Sequence, residues 1–306
     1  MNWHANTTFH GIYPILYAFF DRTGALDRAA IATQIEACVR GGAHGVAILG
    51  LATEVNKLSL VERRQFLDWS AEALDGRLPL AVTIAEPSVT GQIEFAHAAR
   101  ACGAAWLILQ PPAIVGAGDA EYLEFFSRVA EKIDLPFGLQ NAPGLLGASL
   151  GNATLRELNR RYAHFCLLKG EGPATYIERL VADTNGCLDV FNGYGGLQLP
   201  NSLRAGCAGL IPAIDIFDPQ VRIYELMRSG NPAAEAEAEA LYRELLPLIV
   251  FLMSSIENFI QYGKRLTAQR LGLGNVVSRL PALPVTDFGL ACLRRYSAML
   301  PPLLAT

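Results

Sequence analysis

Charge is sparse in this chain of 306 residues: 18% of positions are charged, for a formal net charge of -4. No basic stretch and no zinc-finger spacing is present, which argues against nucleic acid as a partner. The six cysteines, Cys38, Cys102, Cys166, Cys187, Cys207 and Cys292, are scattered and form no CxxC pair. They read as reduced core or helix residues, not a disulfide framework. The start, MNWHANTTFHGIYP, lacks the basic region and apolar run of a secretory leader. The most apolar late stretch, LLPLIVFLMSS, is interrupted by Glu257 and Asn258 before it is long enough to span a bilayer. A cytoplasmic protein without a membrane partner is expected. The five histidines, His4, His10, His44, His97 and His164, fall at no expected strand end, and the carboxylates there do not cluster. Metal chemistry is therefore disfavoured. No phosphate-binding or dinucleotide motif occurs, so no cofactor is expected.

What the chain does have is apolar sequence, 51% of its residues, enough for a large core. One pattern recurs: a helical segment ends in glycine and a short apolar run follows, as in RGGAHGVAILG, RACGAAWLILQ and RAGCAGLIPA. Glycine stops the helix and a buried parallel strand begins. Eight strands are expected: 12–16, 46–49, 80–84, 106–109, 137–140, 165–169, 188–191 and 210–212. Helix-length segments separate them, with Asp27 as an N-cap and Ser59 and Glu62 as a capping box. This alternation favours an α/β fold, a (β/α)₈ TIM barrel. An open doubly wound sheet is the alternative, but it would normally carry a glycine-rich loop after the first strand, and none follows. Residues 1–215 are expected to form the catalytic barrel and 216–306 a C-terminal helical extension, with helices at 218–229, 233–248, 250–271 and 287–299.

Barrel enzymes place their chemistry at the C-terminal ends of the strands. Lys169 ends the sixth strand in FCLLKGEG. A lysine with its stem in apolar surroundings loses its proton more readily than one in water, and a neutral amine attacks a ketone to form a Schiff base. The plainer readings are a surface lysine or a point charge for a carboxylate. Glu171 can orient the lysine or simply make a salt bridge. Thr53 can bind a carboxylate through its hydroxyl and N–H, or serve as a turn residue. Gln140 and Asn141 end the fifth strand; their amides can position a hydroxyl or water but cannot act as acid or base. Asn192 and Tyr194 follow the seventh strand and can meet the far end of a substrate.

In GIYPILYAFFDRTGALD, ILGLATEVNKLSLVERR, LQNAPG, LLKGEG and the Gly206–Ile211 run, the chain resembles the dihydrodipicolinate synthase / N-acetylneuraminate lyase family over nearly its whole length. The resemblance implies a (β/α)₈ barrel with a helical extension, a homo-oligomer (tetramer or dimer), and a Schiff base on Lys169 with a 2-keto acid. Glu54 and Glu62 match acidic positions around the second loop. Ala52 and Ile211 join the substrate contacts that it implies. The family's usual Gly-Thr-Thr-Gly-Glu reads Gly50-Leu51-Ala52-Thr53-Glu54 here, and Gln140 stands where a proton-relaying tyrosine is usual. The 2-keto-3-deoxy-L-arabonate dehydratases are similar in having that glutamine, in Gln-Asp-Ala-Pro, and a late Glu-Asn pair like Glu257-Asn258. Their seventh-strand loop is richer in acid than Asn192-Gly193-Tyr194-Gly195-Gly196. The expected activity is dehydration of a 2-keto-3-deoxy sugar acid. The alternatives are pyruvate-dependent aldol cleavage or synthesis on the same lysine, and a non-catalytic 2-keto acid sensor.

Overall fold

The computed structural model describes residues 9–274 and 276–303; His4 and the ends of both expected segments lie outside them. The chain alternates β1 (Gly11–Ile12), α1 (Arg28–Arg40), β2 (Val46–Ile48), α2 (Leu60–Leu74), β3 (Leu80–Ile84), α3 (Val89–Ala101), β4 (Trp106–Leu109) and α4 (Asp119–Ala130). It continues with β5 (Phe137–Asn141), α5 (Pro143–Leu146), α6 (Asn152–Arg161), β6 (Phe165–Gly170), α7 (Ala174–Asp183), β7 (Asp189–Asn192), α8 (Leu199–Arg204) and β8 (Gly209–Leu210). After these come α9 (Phe217–Arg228), α10 (Pro232–Leu252), α11 (Ile256–Asn258), α12 (Lys264–Leu271) and α13 (Asp287–Ser297).

All eight strands are parallel, in the order β1-β8-β7-β6-β5-β4-β3-β2. Ile15 bridges Ala47 on one side and Ala213 on the other, which closes the sheet into a barrel. The first strand is shorter than expected because Pro14 has no N–H to give the ladder. The expected caps form: Asp27 accepts from Ala30 N, and Ser59 and Glu62 make a reciprocal capping box. Tyr13, Trp106 and Phe191 fill the interior, with ring centroids 5.5–5.6 Å apart. All six cysteines are free.

α9 packs against β1 and α8 in the place of an eighth barrel helix. We propose that the extension begins at α10, just past the division expected at residue 215. The late helices differ from expectation. α10 runs through Pro247 to Leu252, held by buried Leu245, Leu248, Ile249 and Leu252. The chain then bends by 108°, because Ser255 starts a new helix by accepting from Asn258 N at 3.1 Å. A π-turn over Phe259–Gly263 follows and leads into α12. No single helix among the described residues is long and apolar enough to cross a membrane.

Candidate active site

The register of β5, β6 and β7 decides which side chains share the barrel interior. Gln140 lies beside Lys169, and Lys169 beside Phe191; the next row is Asn141, Gly170 and Asn192. Side chains alternate along a strand, so the two rows face opposite ways. The second row faces the helices: a β-carbon on Gly170 would meet the Leu180 side chain of α7 at 2.6 Å.

Lys169 is 2% exposed, with Nζ 2.7 Å from Glu171 Oε1. The same oxygen accepts from Gln140 Nε2 at 3.3 Å. Gln140 Oε1 accepts from Gln110 Nε2 at 2.7 Å, so the oxygen of that amide faces β4 and its NH₂ faces Glu171. The Gln110 carbonyl in turn accepts from Gln92 Nε2 at 2.8 Å. Glu171 is seated by its own N–H, which donates to the Asn141 carbonyl at 3.0 Å. It also lies flat against Gly193, where a β-carbon would stand 2.5 Å from Oε1. Only glycine permits that approach. The second Glu171 oxygen has no partner among the described residues. The result is a buried amine held against a carboxylate, with a row of amides fixing the carboxylate's position.

These groups open onto a cleft with about 370 Å³ of empty space, lined also by Leu51, Ala52, Tyr194 and Ile211. Two successive turns follow β2: Thr53 N donates to Gly50 O, and Glu54 N donates to Leu51 O. The N–H groups of Leu51 and Ala52 have no acceptor among the described residues. Two free N–H donors beside an ammonium make a site for a carboxylate.

Three expected contacts do not reach the cleft. Thr53 is wholly buried, and its hydroxyl donates to the Leu16 carbonyl at 2.7 Å. With its N–H also used in the turn, it ties β1 to the second loop and has no donor for a substrate. Asn141 accepts from Leu150 N at 2.9 Å and donates to Leu150 O at 3.1 Å, bracing the segment before α6. Asn192 donates to Ser202 Oγ at 2.9 Å and to Gly172 O at 3.2 Å, on the helix side of β7. Lys169, Gln140, Glu171, Ala52, Tyr194 and Ile211 do come together. Glu257 does not line the cleft, and Asn258 donates to Ser254 at 2.5 Å. Among the described residues no three His, Cys, Asp or Glu side chains gather to hold a metal.

Several groups escaped the sequence reading. Gln110 was visible only as a polar residue ending an apolar strand. Leu145 of α5 and Met253, Ile256 and Phe259 of the bend complete the cleft; nothing in their local pattern distinguishes them from core residues. The second loop is locked from far along the chain. Buried Glu54 pairs with Lys57 at 2.6 Å and with Lys264 of α12. Burial holds the Lys264 ammonium below the ordinary lysine value, against the opposing pull of Glu54. Arg279 clasps Glu62 at 2.7 Å and donates to the carbonyls of Lys57 and Gly24. Behind Ala213, Tyr17 donates to Asp215 at 3.0 Å and lies 3.4 Å from the Phe259 carbonyl. Burial pushes the Asp215 carboxyl up to about 6.

The sequence model of the dihydrodipicolinate synthetase family matches residues 8–295. A 4-hydroxy-tetrahydrodipicolinate synthase of Methanoculleus marisnigri is 28% identical over 246 residues, 79% of this chain and 83% of the relative. An Escherichia coli protein named as a probable 2-dehydro-3-deoxy-D-pentonate aldolase, YjhH, is 26% identical over 260 residues, 83% of this chain and 86% of the relative. In three dimensions, Escherichia coli YagE, solved in complex with pyruvate, superimposes with a TM-score of 0.86 at 22% identity, covering 95% of this chain and 98% of that one. The eight-stranded closed barrel and the family match over most of its length agree: this chain belongs to the dihydrodipicolinate synthetase family.

Proposed function

We propose that this protein is a Schiff-base lyase that eliminates water from a 2-keto-3-deoxy acid carrying a hydroxyl at C4. The observation that carries this reading is the Lys169–Glu171 pair at 2.7 Å with the amide of Gln140, not a phenol, beside it. The Lys169 amine adds to C2 and, with loss of water, gives an iminium ion. The iminium draws electrons from C3. Glu171, which has one oxygen free, removes a C3 proton to give the enamine. The enamine expels the C4 hydroxyl, which leaves as water with the proton returned by Glu171. Hydrolysis at C2 then frees Lys169 and the 2-keto acid, now unsaturated between C3 and C4. The N–H groups of Leu51 and Ala52 hold the substrate carboxylate. Gln140 holds Glu171 in place; as an amide it cannot relay a proton.

The second reading is aldol cleavage between C3 and C4 through the same iminium. It requires a base for the C4 hydroxyl, and the phenol of Tyr194 lines the cleft. The names of relatives such as YjhH support it. The sugar-acid class, the homo-oligomer and the cytoplasmic setting are proposals that rest on the resemblance. Borohydride reduction in the presence of pyruvate or a keto-deoxy acid tests the shared step. An adduct on Lys169 is expected; none with any keto acid removes both lyase readings and leaves a sensor. Product analysis then separates the two lyases: a dehydrated keto acid is expected, and pyruvate with an aldehyde would overturn dehydration.

A further inference from the structure

Apart from Lys169, Glu171 and Tyr194, every side chain that lines the cleft is apolar. Lys169 is taken up at C2, Glu171 at C3 and C4, and the free N–H groups of the second loop at the carboxylate. Past C4 the substrate meets Leu51, Leu145, Ile211, Met253, Ile256 and Phe259. The seventh-strand loop adds no polar side chain. Gly195 sits at φ 60, and a β-carbon there would stand 2.6 Å from Met253 Sδ. A β-carbon on Gly196 would stand 2.4 Å from Gln220 Nε2. Met253 thus occupies the space that a polar side chain of this loop would use, and the loop offers only backbone.

A chain of hydroxyls is poorly matched to such a wall. Tyr194 can serve one of them; each further hydroxyl buried without a partner weakens binding by roughly tenfold. Each methylene buried in its place strengthens binding by about fourfold. We propose that the natural substrate is a 4-hydroxy-2-keto acid whose chain beyond C4 is hydrocarbon, alkyl or aryl, and not a polyhydroxylated sugar acid. The proposal rests on the Schiff-base reading above. It concerns the tail of the substrate and holds for either dehydration or cleavage.

The test is borohydride trapping on the whole protein, with the Lys169 peptide quantified by mass spectrometry. The probes are pyruvate, 2-keto-3-deoxygluconate, 4-hydroxy-2-ketohexanoate and 4-hydroxy-2-keto-4-phenylbutanoate. Adducts of the intact acid or of its pyruvate fragment both count. The alkyl and phenyl acids are expected to reach half-maximal trapping at a concentration at least tenfold below that of 2-keto-3-deoxygluconate. If pyruvate is trapped but the hydroxylated acid does as well as the other two or better, the inference is overturned while the Schiff-base reading stands. If nothing is trapped, the Schiff-base reading falls and this inference with it. Met253→Gln is expected to narrow the ratio at least fivefold, and Ile256→Asn serves if that variant does not fold. A folded variant of either kind that leaves the ratio as it was would overturn the assignment of this wall.

Discussion

Replacing Asp215 by Asn should remove a loss of stability that sets in as the solution is brought from acid to neutral pH. Burial raises the Asp215 carboxyl from 3.8 to about 6, more than Tyr17 and Arg270 lower it. Between those values the folded chain keeps a proton that the unfolded chain has released. Folding is then favoured by protonation, so stability falls as pH rises from about 4 to 6 and stays lower above that. A difference of about 2 units at about 1.4 kcal/mol each gives about 3 kcal/mol. Asn fits the same space. Tyr17 can turn its hydroxyl to accept from the new amide while donating to the Phe259 carbonyl, 3.4 Å away. Melting temperatures of both proteins are compared from pH 4 to 8, and their difference isolates this one group. The two should agree near pH 4 and diverge to roughly 5 °C in favour of D215N above pH 6.5. A difference that does not change with pH would refute the reasoning.

The second loop offers two further predictions. Thr53→Val should cost about 1–3 kcal/mol, because the Leu16 carbonyl loses its donor inside the core, yet pyruvate should be trapped on Lys169 at the wild-type concentration. A tenfold rise in that concentration would return Thr53 to the substrate. Lys264→Met breaks a buried ion pair and should destabilise by up to about 3–5 kcal/mol. Adding Glu54→Gln should recover part of this in a double-mutant cycle read by urea unfolding; strictly additive losses would show that the two side chains act independently.

The barrel was legible because its strands are apolar runs closed by a single polar residue, which is how Lys169 and Gln140 stood out. What a run does not reveal is its phase. Asn141 and Asn192 sit one position beyond inward-facing residues, and one step along a strand turns a side chain to the opposite face. Their row-mate Gly170, pressed against α7, shows that face only once the strands are in register. Thr53 misled for a related reason: a hydroxyl beside a strand end serves a carbonyl as readily as a carboxylate. The cleft wall built by the bend at Met253 was not legible, since an apolar helix ending in Ser254 and Ser255 does not announce where the chain will next point.

The clasp on the second loop has a consequence for how the protein comes into being. Glu54 awaits Lys264, 210 positions later, and Lys57 awaits Arg279, 222 positions later. At ordinary rates of synthesis that is a delay of about 10–45 s. A nascent chain that has already emerged with Lys169 therefore holds its amine before the loop meant to grip a carboxylate has been fastened. Competence arrives late, with the last tenth of the polypeptide, so a chain cut short by stalled translation would carry the nucleophile without a secured grip on its keto acid.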